Sequence, residues 1–223
     1  MNKAIITGNS RGLGQALVTQ LESRGWSVLG LSRSSGLDLS SPEALVEWLD
    51  GGTLRTFLAD ATDVLLINNA AAVGPGVPVG QGKAADVVTA VNLNVTAPIL
   101  LTEAVLAQRP DGVPVRVAHI SSGAGRRAIE GWSVYCATKA AVDMHASTLA
   151  AEATDGVRAA AIAPGIVDTD MQASIRGNEG FPGREQFIEY KETGQLASPD
   201  DAAAAVLAVI DSPGFGQEPV TRI

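Results

Sequence analysis

The chain has 223 residues, of which 46% are hydrophobic, and its formal net charge is −8. This length and composition suit one globular α/β domain spanning residues 1–223. The negative charge argues against nucleic acid or an anionic membrane as the main partner, because both bind clustered Lys and Arg. The single cysteine, Cys136, excludes an internal disulfide and a cysteine-rich metal site, and we expect no metal.

The amino-terminal stretch Met1–Gly8 is too short, and becomes polar too soon, to be a signal peptide. No apolar run approaches the ~20 residues that a membrane span requires. We therefore expect a cytoplasmic protein that does not bind a membrane.

Five short apolar runs alternate with longer segments rich in Ala, Leu, Val and Glu, as is typical of strands buried on both faces of a parallel sheet. Strands are predicted over Lys3–Thr7, Ser27–Leu31, Val64–Ile67, Val115–Ile120 and Val157–Ile162. Helices are predicted over Leu13–Arg24, Pro42–Leu49, Asp86–Gln108, Val134–Thr154 and from Ser198 to about Ile210. The alternation predicts an α/β fold of the Rossmann type, a doubly wound parallel sheet with helices on both faces.

A glycine-rich turn joins the first predicted strand to the first predicted helix. It reads Thr7-Gly8-Asn9-Ser10-Arg11-Gly12-Leu13-Gly14. Glycines here let the backbone approach a pyrophosphate, and the helix N-terminus supplies unpaired N–H groups. The turn indicates a dinucleotide site, and a tight turn that binds nothing is the alternative.

The second predicted strand ends in Ser32-Arg33-Ser34, without an acidic residue. An NAD site usually has Asp or Glu at this point, which accepts a hydrogen bond from the ribose 2′-OH. Arg33 and Arg11 are instead placed to bind a 2′-phosphate, since a guanidinium pairs with phosphate through two hydrogen bonds. Either arginine alone is equally well explained as a surface charge. Together they favour NADP(H) as the cofactor.

Ser122, Tyr135 and Lys139 form the candidate catalytic set. Tyr135 and Lys139 are four residues apart and so share one face of a predicted helix. The ammonium group is expected to lower the pKa of the phenol toward neutrality, which would make Tyr135 a general acid and base. Ser122 follows a predicted strand and can hydrogen-bond an oxygen on which charge develops. A single Tyr-x3-Lys pair also arises by chance, so its context carries the argument.

The segment 171–196 is rich in glycine and aromatic residues and is predicted to be an irregular insertion near the sheet edge. It is a candidate substrate lid, with a plain surface excursion as the alternative. His119 and His145 are expected to be structural, because no Cys or His set for a metal accompanies them.

In their order along the chain, these motifs resemble the short-chain dehydrogenase/reductase family. The matching motifs are Thr7-Gly-x3-Gly-x-Gly14, Asn68-Asn-Ala-Ala71, Ser122, Tyr135-x3-Lys139 and Pro164-Gly-x3-Thr169. Three further stretches are similar to the sepiapterin reductase and benzil reductase branch: Ile120-Ser-Ser-Gly-Ala124, Gly131-Trp-Ser-Val-Tyr-Cys-Ala-Thr-Lys-Ala-Ala-Val-Asp-Met144 and Val167-Asp-Thr-Asp-Met-Gln172. That branch reduces aromatic or vicinal dicarbonyl compounds with NADPH. The resemblance also implies a homodimer or homotetramer.

The resemblance implies catalytic roles for four residues. Tyr135 would protonate a carbonyl oxygen, and Ser122 would orient that carbonyl. Lys139 would lower the pKa of Tyr135 and hold the nicotinamide ribose. Asn94, which fits the family pattern better than Asn92, would hold a proton-relay water.

The resemblance implies cofactor contacts as well. Asp38 would bind adenine, and Thr169 would bind the nicotinamide carboxamide. The full implied set is Gly8, Ser10, Arg11, Gly12, Leu13, Gly14, Arg33, Asp38, Asn69, Ala70, Tyr135, Lys139, Pro164, Gly165, Val167 and Thr169. Two features depart from the family pattern: Ala71 stands where glycine is usual, and Gln217–Ile223 lacks the longer final strand of many relatives.

The sequence therefore predicts an NADPH-dependent carbonyl reductase that acts on a small-molecule ketone. A non-catalytic NADP(H)-binding sensor on the same fold is one alternative. Dehydration or epimerisation on the same scaffold is another. Trp132, three residues before Tyr135, is expected either to stack on an aromatic substrate or to pack in the core.

Overall fold

A six-stranded parallel sheet runs through the computed structural model, which describes residues 1–223. Its strands are β1 (Asn2–Thr7), β2 (Ser27–Leu31), β3 (Asp63–Asn68), β4 (Val115–Ile120), β5 (Val157–Ala163) and β6 (Val220–Arg222). Their order across the sheet is β2-β1-β3-β4-β5-β6. The five predicted strands are confirmed to within one residue at each end. The unpredicted sixth strand has three residues, which pair with the last three residues of β5.

Nine helices connect and cover the strands. They are α1 (Gly12–Ser23), α2 (Pro42–Asp50), α3 (Thr53–Leu58), α4 (Ala84–Val91), α5 (Ala97–Gln108), α6 (Ser133–Glu152), α7 (Asp170–Gly177), α8 (Arg184–Glu192) and α9 (Pro199–Asp211). The helix predicted over 86–108 is present, but a π-helical segment, Asn92–Thr96, joins α4 to α5. The short α3 was not predicted.

Apolar side chains from alternate strand positions build one core on each face of the sheet. Ile6 of β1 packs on one face with residues of α1 and α9. Its neighbour Ile5 packs on the other face with residues of α2, α3, α5 and α6. Successive strand residues point to opposite faces, so each strand contributes to both cores. This arrangement confirms the doubly wound α/β fold.

The strand order reverses at the centre of the sheet. From β1 the chain moves outward to β2, then returns past β1 to β3 and continues to β6. A crevice opens at such a switch point, beyond the carboxyl ends of the strands. The loops that follow β1, β3, β4 and β5 therefore meet at one edge of the sheet.

The continuous helix Ala84–Gln108 meets the criteria of a membrane span by length and composition alone. It has 25 residues, and its most apolar window has a mean hydropathy of 1.5. This differs from the expectation that no apolar segment approaches such a length. Ala97, Leu101 and Val105 are buried against the sheet, and the core helix of a soluble protein meets the same criteria.

The segment predicted to be irregular contains two helices, α7 and α8. They pack against each other, and we call Asp170–Glu192 the α7–α8 arm. The prediction of irregular structure was wrong because the glycines and Pro182 lie mainly between the helices or at their ends. Each short helix is anchored by one buried side chain, Ile175 in α7 and Phe187 in α8.

Candidate active site

One cleft of about 1320 Å³ lies along the carboxyl edge of the sheet. Every residue predicted to contact the cofactor lines this cleft, as do Ser122 and Trp132. The arm supplies part of the wall, including Met171, Ile175 and Phe187. Asn94 is the one predicted site residue that does not line the cleft.

The glycine-rich turn leaves the N-terminus of α1 open toward the cleft. Gly8 and Gly12 have φ angles of +68° and +53°, which favour glycine. A Cβ at Gly14 would lie 2.1 Å from the carbonyl oxygen of Gly8, so no side chain fits there. No side chain caps the first N–H groups of α1. These groups, together with the dipole of α1, are suited to bind a pyrophosphate.

The end of β3 is tied to the same turn. Thr7 Oγ1 accepts hydrogen bonds from the backbone N–H groups of Asn69 and Ala70, both at 2.9 Å. Asn69 Nδ2 donates to the carbonyl oxygen of Thr7 at 2.9 Å. These bonds fix the two strand ends that border the pyrophosphate position. The geometry explains why this segment combines amide side chains with small residues.

The end of β2 presents hydroxyls and one free guanidinium. Ser32 and Ser35 cap each other in a short 3-10 turn, Arg33–Ser35, and Arg33 is exposed and forms no salt bridge. Asp38 accepts hydrogen bonds from the side chain and backbone of Ser40. These bonds, with a smaller contribution from Arg33, hold the pKa of the Asp38 carboxyl below its usual value.

Arg11 has a different partner from the one predicted. Its Nη1 lies 2.8 Å from Asp170 Oδ2 at the start of α7. Both side chains are exposed, so the pair is weak and easily exchanged. Arg11 lines the cleft together with Arg33, so its contact with a 2′-phosphate stays a prediction. Of the two arginines, Arg33 is the one without a salt bridge.

Tyr135 and Lys139 are both buried on one face of α6 beside the cleft. Lys139 Nζ lies 5.5 Å from the centroid of the Tyr135 ring. The expected fall in the pKa of Tyr135 is wrong for this structure: burial raises it to about 12, and the neighbouring Ser122 hydroxyl offsets only part of the increase. The physical reason is desolvation, which disfavours the phenolate.

The ammonium group of Lys139 is engaged elsewhere. Lys139 Nζ donates a hydrogen bond of 2.7 Å to the carbonyl oxygen of Ile120, the last residue of β4. Burial lowers the pKa of Lys139 to about 8, against the opposing effect of Asp143. The lysine therefore bridges α6 and the strand end that leads to Ser122.

Asn94 lies behind the wall of the cleft and is 2% exposed. Its Oδ1 accepts from the Ala72 N–H, and its Nδ2 donates to the Ala72 carbonyl oxygen, both at 2.8 Å. Nδ2 also lies 3.0 Å from Thr138 Oγ1 on α6. Asn92, the competing residue, donates instead to Ser40. Asn94 thus links the loop after β3 to the helix that carries Tyr135.

Aromatic side chains close one end of the cleft. Trp132 stacks on Phe181 of the arm with centroids 4.9 Å apart and planes at 12°. Trp132 also meets Tyr135 edge to face at 5.1 Å. One face of the indole is therefore covered by the arm, and the residue is 5% exposed. At Gly131, φ is +80°, and a Cβ would lie 2.8 Å from Pro182 Cδ.

Sequence reasoning missed Ser121 and Asp143, which are hydrogen-bonded to each other beside Lys139. The spacing of Tyr135, Lys139 and Asp143, four residues apart in each case, was the signal available for the carboxylate. Arg127 and Arg222 also line the cleft, and no motif identified them.

The fold and this cleft define a dinucleotide-binding oxidoreductase site of the Rossmann type. Residues 55–180 match the short chain dehydrogenase family. The chain belongs to that family, whose members bind a nicotinamide cofactor. The open glycine turn, the small residues after β3 and the polar end of β2 fit such a cofactor.

Two characterised relatives lie in the branch that the sequence motifs resemble. The chain is 34% identical to the benzil reductase ((S)-benzoin forming) of Bacillus cereus, over 100% of this chain and 99% of that protein. It is 31% identical to sepiapterin reductase of Bos taurus, over 95% and 90%. A crystal structure of a short-chain dehydrogenase/reductase from Burkholderia vietnamiensis has a TM-score of 0.69 at 38% identity, covering 98% of this chain and 96% of that one.

Proposed function

We propose that this protein is an NADPH-dependent carbonyl reductase that reduces a ketone, with aromatic or vicinal dicarbonyl compounds as its substrate class. The observation that carries the proposal is the placement of Ser122, Tyr135 and Lys139 along one cleft with the open glycine turn. The two relatives named as reductases of dicarbonyl and pterin substrates support the same chemistry.

The choice of NADPH over NADH rests on the end of β2. No carboxylate follows that strand directly, and Arg33 is exposed and forms no salt bridge. A 2′-phosphate would meet this guanidinium and the neighbouring serine hydroxyls, whereas a 2′-OH would find no carboxylate acceptor directly after the strand.

When bound, a reduced nicotinamide supplies the hydride. Tyr135 holds its proton firmly, since its pKa is about 12, and donates that proton to the carbonyl oxygen as negative charge develops there. Lys139, while protonated, stabilises the phenolate that remains. Ser122 hydrogen-bonds the same carbonyl oxygen and orients it.

The aromatic end of the cleft supports a substrate with a flat apolar group. Trp132, Phe187 and Tyr190 line this end, and the arm brings the latter two residues to it. We propose that the arm closes over such a substrate as a lid. The reaction then proceeds away from water, which strengthens the interactions of the carbonyl oxygen with Tyr135 and Ser122.

The deciding experiment compares the wild-type protein with Tyr135→Phe. The wild type should oxidise NADPH in the presence of a 1,2-diketone and prefer NADPH to NADH. Tyr135→Phe should lower kcat by ~10³-fold, because the proton donor is lost, while NADPH binding by fluorescence stays nearly unchanged. The control is Glu185→Gln, a substitution at an exposed residue of α8.

Two results would contradict this function. Unchanged turnover in Tyr135→Phe would exclude Tyr135 as the proton donor. Stoichiometric NADPH binding by the wild type, without turnover of any ketone or aldehyde, would instead favour a sensor of NADP(H). Product analysis separates reduction from dehydration or epimerisation.

A further inference from the structure

Asp143 is a buried carboxylate on the face of α6 that carries the proposed catalytic pair. It follows Lys139 by four residues and Tyr135 by eight, so the three side chains lie one above another along the helix. The residue is 8% exposed. The reaction described above gives it no role, although a buried carboxylate is costly unless it is paired or hydrogen-bonded.

The carboxylate contacts the turn that follows β4. Ser121 Oγ donates a hydrogen bond of 2.5 Å to Asp143 Oδ1, and Arg126 Nε lies 3.8 Å from Oδ2. A Cβ at Gly125 would lie 2.8 Å from Oδ2, so the backbone of the turn packs directly on the carboxylate. Ser122, the residue that would orient the carbonyl, belongs to this turn.

The same carboxylate is the anion that acts on Lys139. Desolvation disfavours a charged amine, and Asp143 opposes this effect by raising the pKa of Lys139. The other titratable groups around the pair are the Tyr135 phenol, the His119 imidazole on β4 and the Arg126 guanidinium. The first two are uncharged at neutral pH, and the third is a cation.

We propose that Asp143 is a positioning residue of the site: it holds the turn carrying Ser122 against α6 and keeps the buried Lys139 protonated. The inference deepens the proposed function, because a protonated Lys139 is what stabilises the phenolate of Tyr135. Without the negative charge of Asp143, a larger fraction of Lys139 is neutral at physiological pH.

The test measures the protonation of Lys139 directly by NMR of the ¹³Cε signals in labelled protein. The chain has only four lysines, and Lys139→Met assigns the signal. Asp143→Asn keeps the shape and an acceptor for Ser121 but removes the charge. It should lower the pKa of Lys139 by about one unit. Glu152→Gln removes a charge from the exposed end of the same helix and should leave the Lys139 titration in place.

An unchanged Lys139 titration in folded Asp143→Asn overturns the proposal. In the wild type, the carboxyl ¹³C signal of Asp143 should also show a second step at the pH where Lys139 titrates. Absence of that step likewise overturns the proposal, whether or not the variant folds. Neither NMR titration requires turnover. A protein that gives both expected titrations yet reduces no carbonyl would contradict only the proposed function.

In an active enzyme, the pH dependence of kcat provides a further test. The alkaline limb of the kcat–pH profile should move to lower pH in Asp143→Asn by the same shift as the NMR titration. A purely structural role would lower kcat at every pH and leave the limb in place, which would contradict the proposal.

Discussion

His119 on β4 and His145 on α6 form a hydrogen-bonded pair between these two elements. Asn68 Nδ2 lies 3.1 Å from His119 Nδ1, and His119 Nε2 lies 3.1 Å from His145 Nδ1. Since the Asn68 amide donates to Nδ1, Nε2 of neutral His119 carries the proton and donates to His145. Burial, with further contributions from His145 and Lys139, lowers the pKa of His119 to about 3.

This pair predicts a loss of stability in mild acid. The unfolded chain binds a proton at His119 below about pH 6.5, and the folded chain does so only near pH 3. Its contribution to stability is therefore complete above pH 6.5 and is lost as the pH falls toward 3. Between pH 6.5 and 5, the free energy of unfolding should fall by roughly 1–2 kcal/mol from this group.

Urea unfolding of the wild type and His119→Asn at several pH values checks this prediction. The variant should be less stable at pH 7 but show a flatter dependence on pH. His145→Asn, a change at the half-buried partner, should flatten the curve less. Parallel curves for wild type and His119→Asn would show that His119 does not titrate on unfolding.

At the scale of the helices and strands, the sequence predicted what local periodicity encodes. Each of the five short apolar runs became a strand, because such a run satisfies both faces of a covered sheet. The six-residue α3 was missed because Leu54 and Leu58, its two buried residues, span only one helical turn. The π-helical segment Asn92–Thr96 was missed as well; its Asn94 forms hydrogen bonds to Ala72 and Thr138, which lie in other segments.

The α7–α8 arm shows the limit of pattern reasoning most clearly. The sequence predicted an insertion over residues 171–196 as a candidate lid, which stays a prediction, but its helices were not predicted. The sequence of α8 is largely polar, and its single buried side chain, Phe187, packs on Trp132 from another part of the chain. Tertiary contacts therefore stabilise α8, because its sequence has no apolar periodicity of its own. The pKa of Tyr135 could not be predicted either, because it depends on burial.

The stack of Phe181 on Trp132 should hold the arm closed. Phe181→Ala removes the partner ring and should raise KM for a diketone several-fold, with a smaller change in NADPH affinity. Trypsin should also cleave the variant faster after Arg176 or Arg184, which lie in the arm. Phe57→Ala, a partly buried phenylalanine on α3, is the control. Equal KM and equal cleavage in Phe181→Ala and wild type would contradict the lid.

At the scale of the whole molecule, the faces of α4 and α6 suggest a second copy of the chain as a partner. Val88 and Val91 on α4 and Met144 on α6 are 57%, 39% and 66% exposed, and α4 packs against α6. The helix that begins with α4 is apolar over most of its length. Pairing of these faces would bury the exposed groups, and we propose a homodimer or homotetramer built on them.

The assembly predicts a change of mass on substitution. Val88→Asp combined with Met144→Asp should convert the oligomer to a monomer, because burying two carboxylates in an apolar interface is unfavourable. Size-exclusion chromatography with light scattering measures the result. Val79→Asp changes a valine that is 83% exposed outside these helices, and it should leave the mass unchanged. A wild-type monomer, or an oligomer that survives both substitutions, would contradict the proposal.

The bare backbone at Gly131 has a consequence for remodelling this protein. Because Pro182 and Phe181 fill the space where a side chain would grow, Gly131 offers an engineer no adjustable position. Selectivity for larger or smaller ketones would have to be sought within the arm, at Ile175, Phe187 and Tyr190, which line the cleft. A mutagenesis library that varied those three residues would explore new reactivity while sparing the helix on which proton delivery depends.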